Sequence, residues 1–229
     1  MLELKDYHVA YGQSEVISNL NLTLEKNEII AILGRNGMGK TTLMKSMIGM
    51  IPTKSGSMTL LGKELSKSKS HERVADGVGF VPQGRMIFST MTVEENIETG
   101  LTSTKETKIP EDIYNIFPVL REMKNRRGGN LSGGQQQQLA IARALASDPS
   151  VLLLDEPTEG IQPSIIKEMA HTLKEIRDSR GISIIVSEQV LSFALDIADR
   201  IIVIEKGKIV HDEPRDAVDA EKVAAFLSV

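Results

Sequence analysis

The 229-residue sequence has no cysteine, so disulfides and thiolate chemistry are unavailable to it, and a reducing compartment is expected. Aromatic residues make up only 3%, too few for a surface that stacks nucleic-acid bases. There is no global positive field either. The formal net charge is -4, the wrong sign for a chain that coats DNA or RNA, and no nucleic-acid partner is expected. No apolar run approaches the roughly 18 to 20 residues of a membrane-spanning helix, and the start "MLELKDYHVA" lacks the basic-then-apolar plan of a signal peptide. Any membrane role is therefore expected to run through a partner, with the chain in the cytoplasm. What is present, 41% hydrophobic and 25% charged residues, suffices for one globular unit with a sizeable core, and the ten methionines read as adaptable filler of that core.

The first third reads as strands: "LELKDYHVAY", then "NLNLTLE" with alternating Leu20, Leu22 and Leu24, then "EIIAIL". Alternation predicts a half-exposed antiparallel sheet, whereas "IIAIL" reads as buried on both faces. "KTTLMKSMIGM" has helical character and ends near Gly49 and Pro52. From about Thr92 to Arg127 come helix-like pieces, "VEENIETG", "EDIYNIF" and "VLREMKNRR", broken by "TSTKETKIP" and Pro118. The helix "GGQQQQLAIARALAS" and the short strand "PSVLLLDEP" follow. "SIIKEMAHTLKEIRDSRG" aligns Ile165, Ile166, Met169, Leu173 and Ile176 on one helical face, with Gly181 as its C-terminal cap. The strand "ISIIVS", a helix through "VLSFALDIA", the strand "RIIVIE" and a tight turn at "KGK" complete the chain, and this alternation predicts a parallel sheet covered by helices.

Three stretches carry chemistry. "LGRNGMGKTT" contains G-x-x-x-x-G-K-T, as Gly34, Gly39, Lys40 and Thr41, between a buried strand and a helix. Glycines let consecutive backbone N–H groups curl around an anion, and the helix start adds partial positive charge. Lys40 can neutralise the outer phosphates of a nucleotide, and the Thr41 hydroxyl can bind Mg2+. In "VLLLDEP", Asp155 ends a buried strand where it can hold the metal, and Glu156 follows where it can face the attacking water. "LSGGQ", Leu131 to Gln135, precedes a helix, so Ser132 and the Gly133 and Gly134 amides can present donors to a second phosphate; alone, the pentapeptide also reads as a helix cap.

Taken in order, "GRNGMGKTT", "VPQG", "LSGGQ" and "LLLDEPTEG" resemble the ATP-binding subunit of ABC transporters across essentially the whole chain. The resemblance implies an α/β fold. Its P-loop NTPase core would have a mostly parallel sheet, with an N-terminal antiparallel β subdomain and an α-helical subdomain inserted at about 88–145 of a single 1–229 domain. It implies ATP and Mg2+ as ligands and ATP hydrolysis as the reaction, with Glu156, Gln83 and Lys40 in catalysis and Thr41, Gln83 and Asp155 at the metal. Nucleotide contacts would come from Tyr11, Gly34, Asn36, Gly37, Gly39, Lys40, Thr41 and Thr42, and from Ser132, Gly133, Gly134 and Gln135 across a head-to-tail pair of cassettes. Tyr11 of "VAYG" matches an adenine-stacking aromatic, though a half-buried strand tyrosine fits too, and Gln83 of "VPQG" matches a sensor of metal and water, though a polar turn residue fits too.

The implied partners are transmembrane permease subunits and a second cassette, either a related chain or a second copy, with a substrate-binding protein reached only through the permease. This would place the chain on the inner face of the plasma membrane. Met86, Ile87 and Phe88 lie where the permease would dock, or else pack the helical insertion. Two departures stand out. The family's usual histidine after the last core strand is matched by Glu188 in "IIVSEQ", and a usual aspartate is replaced by Gln162 in "TEGIQP". Similar endings, with "VPQGRMIF" and "TVEENI", look like branched-chain amino acid importers, and "DEPTEGIQPSII" looks like their urea-uptake relatives, so urea is the first expected cargo and branched-chain amino acids the second. Alternatives are a non-transport ABC ATPase and an ATP-gated regulatory subunit with weak turnover. The histidines His8, His71, His171 and His211 read as surface or structural.

Overall fold

The computed structural model describes residues 1–228. Strands β1 (Leu2–Tyr11) and β2 (Ser14–Leu24) form an antiparallel hairpin, β3 (Ile29–Leu33) leads into α1 (Lys40–Met47), and β4 (Thr53–Leu60) and β5 (Lys63–Glu64) return to the hairpin. After α2 (Ser70–Ala75) and β6 (Val78–Val81) come short helices α3 (Val93–Glu98), α4 (Glu111–Ile116) and α5 (Pro118–Glu122). The longer α6 (Gly133–Leu145), β7 (Val151–Asp155), α7 (Pro163–Arg180), β8 (Ser183–Glu188), α8 (Leu191–Ile197), β9 (Arg200–Glu205), β10 (Lys208–Pro214) and α9 (Ala220–Leu227) complete the chain.

Two sheets result. One is antiparallel, ordered β2-β1-β4-β5; the other is ordered β10-β9-β3-β8-β7-β6, parallel except for edge strand β10. The strand period of two explains why "IIAIL" is apolar throughout. Ile29, Ala31 and Leu33 pack toward the helices, while Ile30 and Ile32 pack with Leu43, Met44 and Met47 of α1 against the antiparallel sheet. In α7 the buried residues are Met169, Ala170, Leu173 and Ile176, and Gly181 caps the helix in the left-handed conformation at φ 64°. Ile165 and Ile166 of the expected face are only half-buried.

Helix α5 ends at Glu122, short of the expected "VLREMKNRR". The backbone beyond it is used elsewhere: the carbonyls of Lys124 and Arg126 accept from the N–H groups of Glu94 (3.0 Å) and Val93 (2.8 Å), which open α3 and have no intrahelical acceptor. Among the described residues, no helix is long and apolar enough to cross a membrane.

Candidate nucleotide-binding site

The parallel strands β3, β6, β7 and β8 deliver their carboxyl ends to one edge of the sheet, where open α/β folds bind ligands. The loop after β3 wraps a cavity of about 300 Å³ lined by Val16, Arg35, Asn36, Gly37, Gly39, Lys40, Thr41, Thr42, Gln83 and Glu156. Gly39 caps α1 at φ 106° and ψ 0°, a conformation that favours glycine, and a Cβ there would crowd Ile17 Cδ1 at 2.8 Å. The uncapped N-terminus of α1 faces this loop, a ready place for an anion.

Lys40 is only 4% exposed. Its Nζ donates to the carbonyls of Gly34 (2.6 Å) and Arg35 (3.3 Å) and pairs with Glu156 Oε1 at 3.3 Å. Glu156 occupies the left-handed region at φ 47°, a strained conformation for a non-glycine residue that recurs at functional sites. Its Oε2 accepts from Gln83 Nε2 at 3.3 Å. Lys40 at the start of α1 and Gln83 in the loop after β6 thus meet on the carboxylate of Glu156, in the loop after β7.

Asp155 lies beneath, 1% exposed. Its Oδ1 accepts from Ser187 Oγ (2.5 Å) and Thr41 Oγ1 (3.2 Å), while Oδ2 is buried without a partner. Burial pushes this carboxyl above its ordinary range, the two hydroxyl donors pull it back in part, and the charge of Glu156 pushes it up further. A buried carboxylate with an unused oxygen beside a threonine hydroxyl fits a hard cation such as Mg2+. Among the described residues no group of three or more His, Cys, Asp or Glu surrounds it, so phosphate oxygens and water would supply the other ligands.

The other expected site residues lie apart from this cavity. Tyr11 is 53% exposed at the end of the β1–β2 hairpin, and Val16 rather than Tyr11 lines the cavity. Ser132 and Gln135 form a reciprocal cap at the start of α6, with Ser132 Oγ accepting from Gln135 N–H (3.3 Å) and Gln135 Oε1 accepting from Ser132 N–H (3.0 Å). None of Ser132 to Gln135 lines the cavity. Beside the site, Arg85 and Met86 both adopt positive φ, 67° and 46°, and Arg143 donates to their carbonyls at 3.2 and 3.0 Å. Met86 and Phe88 are exposed along a groove of about 430 Å³, with the Arg143 guanidinium over the Phe88 ring, whereas Ile87 packs into the core.

The position after β8 needs a correction. Sequence reading ends this strand at Ser187 and makes Glu188 the first loop residue, but Glu188 pairs with Leu33 of β3 and belongs to the strand. Its carboxylate is buried against Thr158, and the residue reaching the site is Gln189, whose Nε2 donates to Glu156 Oε1 at 2.9 Å and to Asn36 Oδ1 at 2.7 Å. Ser187 has no signal of its own in the sequence; the register of β8 against β7 sets it opposite Asp155, to which its hydroxyl donates. Among the described residues no histidine contacts the site: His8 bonds Glu15 at 3.1 Å, and His211 is buried near Phe226.

A phosphate loop at a helix start, a buried metal-type carboxylate and a glutamate at the edge of a parallel sheet define a P-loop nucleotide-binding ATPase. The family model described as "ABC transporter" matches residues 17–159, and the chain belongs to that family of ATP-hydrolysing cassettes. A high-affinity branched-chain amino acid transport ATP-binding protein of Pseudomonas aeruginosa is 38% identical over 216 residues, 93% of this chain and 92% of the relative. A probable branched-chain amino acid transport ATP-binding protein of Archaeoglobus fulgidus is 32% identical over 212 residues, covering 91% and 90%. Among solved structures, a dimeric ATP-binding cassette bound to ADP and Pi in a post-hydrolysis state superposes with a TM-score of 0.83 at 24% identity, covering 94% of this chain and 99% of that one, a likeness of fold.

Proposed function

We propose that this cassette powers an importer from the cytoplasmic face of the membrane, hydrolysing ATP at the cavity built around Lys40 and Glu156. The observation that carries the reading is the convergence of Lys40, Gln83 and Glu156 on one anion-sized space above the unpartnered Asp155 oxygen. The phosphate loop amides and Lys40 bind the triphosphate, so Lys40 exchanges Glu156 for phosphate oxygens. Glu156 orients a water in line with the γ-phosphate and takes its proton, and Gln83 holds that water and the metal side of the site. Thr41 and Asp155 would hold Mg2+, which would offset charge developing on the phosphates.

Since Ser132 to Gln135 stand outside this chain's own cavity, they serve the ATP of a second cassette in a head-to-tail dimer, with Tyr11 against the adenine. The groove beside Met86 and Phe88 receives a permease segment, which closure and opening of the dimer would move between two states. Branched-chain amino acids are the favoured cargo, on the strength of the two relatives named as ATP-binding proteins, one of them probable, of branched-chain amino acid transport. Urea is the second reading, resting on "DEPTEGIQPSII".

The test is mass spectrometry of proteins that co-purify with the tagged chain from detergent-solubilised native membranes. Recovery of multi-span permease subunits with a second cassette is expected. Recovery of ribosomal or DNA-repair proteins in their place would overturn the transport reading and leave the nucleotide chemistry standing.

A further inference from the structure

Ser187 is fully buried in β8, paired with Ile32 of β3 on one side and Asp155 of β7 on the other. The strand period of two puts it on the face of the sheet that carries Ile185, Ile32 and Leu153, which packs on Leu43 and Met44 of α1. An apolar side chain would serve the core at this position. A buried hydroxyl is costly there unless it is hydrogen-bonded, so its partners account for its presence.

Both sides of the Ser187 hydroxyl are in use. Its Oγ accepts the N–H of Glu156 at 3.2 Å and donates to Asp155 Oδ1 at 2.5 Å. An N–H cannot accept and an ionised carboxylate cannot donate, so the single hydroxyl hydrogen has only Oδ1 to go to. Thr41 Oγ1 donates to the same oxygen at 3.2 Å, while Oδ2 is buried without a partner. The two oxygens of Asp155 are therefore not equivalent, and the shorter of the bonds that distinguish them comes from Ser187.

We propose that Ser187 is a positioning residue for the metal: by holding Oδ1 it fixes the rotation of the Asp155 carboxylate, so that Oδ2 is the oxygen presented to Mg2+. This rests on the reading of Asp155 and Thr41 as metal ligands. In that reading the Thr41 hydroxyl is shared with the metal, whereas the Ser187 hydroxyl belongs to Asp155 and the Glu156 backbone alone. Removing the hydroxyl is a clean probe, because the Ser187 carbonyl also accepts the N–H of Glu156, at 3.0 Å, and keeps the two strand ends joined.

The experiment measures the binding of Mn2+, a spectroscopic substitute for Mg2+, to the full chain with one equivalent of ADP, read from the electron paramagnetic resonance signal of free Mn2+. Ser187→Ala is expected to raise the Mn2+ dissociation constant by about 10-fold or more, while ADP affinity in EDTA stays at the wild-type value. Ser187→Cys keeps the size of the side chain but donates only weakly, and gives a loss of the same order, which separates the missing bond from a cavity. In an Asp155→Asn background Ser187→Ala weakens Mn2+ binding no further, because the carboxylate it orients is already gone. Wild-type Mn2+ affinity in Ser187→Ala, a loss absent from Ser187→Cys, an additive loss beside Asp155→Asn, or an equal weakening of ADP in EDTA would each overturn the assignment. Unchanged Mn2+ affinity in Asp155→Asn alone would instead overturn the reading of Asp155 as a metal ligand, and the role of Ser187 would fall with it.

Discussion

Asp155 is a side chain that costs the fold and that the proposed function makes a metal ligand. Burial holds its carboxyl above the ordinary 3.8, and the hydroxyls of Ser187 and Thr41 offset only part of that. The folded chain therefore binds this proton more tightly than the unfolded chain does. For this group the sign follows directly: it favours folding below its unfolded value, and that contribution is lost as pH rises from there through the raised folded value. Asp155→Asn should accordingly raise the thermal midpoint at pH 7 in the absence of nucleotide and Mg2+, while turnover falls by about 100-fold or more for want of a metal ligand. A lower midpoint at pH 7, measured by calorimetry, would contradict the uncompensated charge.

Among the elements, α1 depends on a residue far away in sequence. Arg73 of α2 is 1% exposed, and its guanidinium donates to the carbonyls of Ser46 (2.7 Å) and Met47 (3.0 Å) at the end of α1, and to Ser66 and Ser68 (both 3.0 Å). The helix end is where a cation is favoured. Arg73→Met leaves these carbonyls unmet and should cost about 3 kcal/mol of stability, read from the denaturant midpoint with the m-value unchanged. A loss under about 1 kcal/mol would mean that water replaces the guanidinium.

Neither α2 nor β4 was legible in the sequence. Within "TKSGSMTL" the first half is polar and largely exposed, so no alternation marks a strand; pairing with β1 makes it one. In "SHERVA" the only fully buried residue is a charged one, so no apolar face marks a helix. By contrast β3, β7 and α7 were legible because burial dictates their pattern, and the phosphate loop because its glycines and Lys40 fall at a fixed spacing between a strand and a helix. The end of β8 was misread by one residue, since the last buried position of that strand is a glutamate and burial of a carboxylate leaves no apolar signature. That single step moved the site contact from Glu188 to Gln189. Gln83 and Glu156 were legible by their motifs, but their meeting at 3.3 Å depends on the pairing of β6 with β7.

On the scale of the whole molecule, the proposed function assigns two surfaces to partners, the capped start of α6 and the groove of Met86 and Phe88. Phe88→Glu places a charge where the Arg143 guanidinium now lies over a ring, 5.3 Å from its centroid. In the assembled complex it should abolish transport while the isolated chain keeps its nucleotide affinity; unchanged transport in reconstituted vesicles would remove this groove from the docking surface. Everything larger depends on the reaction at Glu156, which removing one oxygen tests most directly. Glu156→Gln keeps the shape of the site and should bind ATP as the wild type does while turnover of the assembled complex falls by about 100- to 10,000-fold. Turnover at the wild-type rate would contradict the account, because Glu156 would then not be the group that activates water.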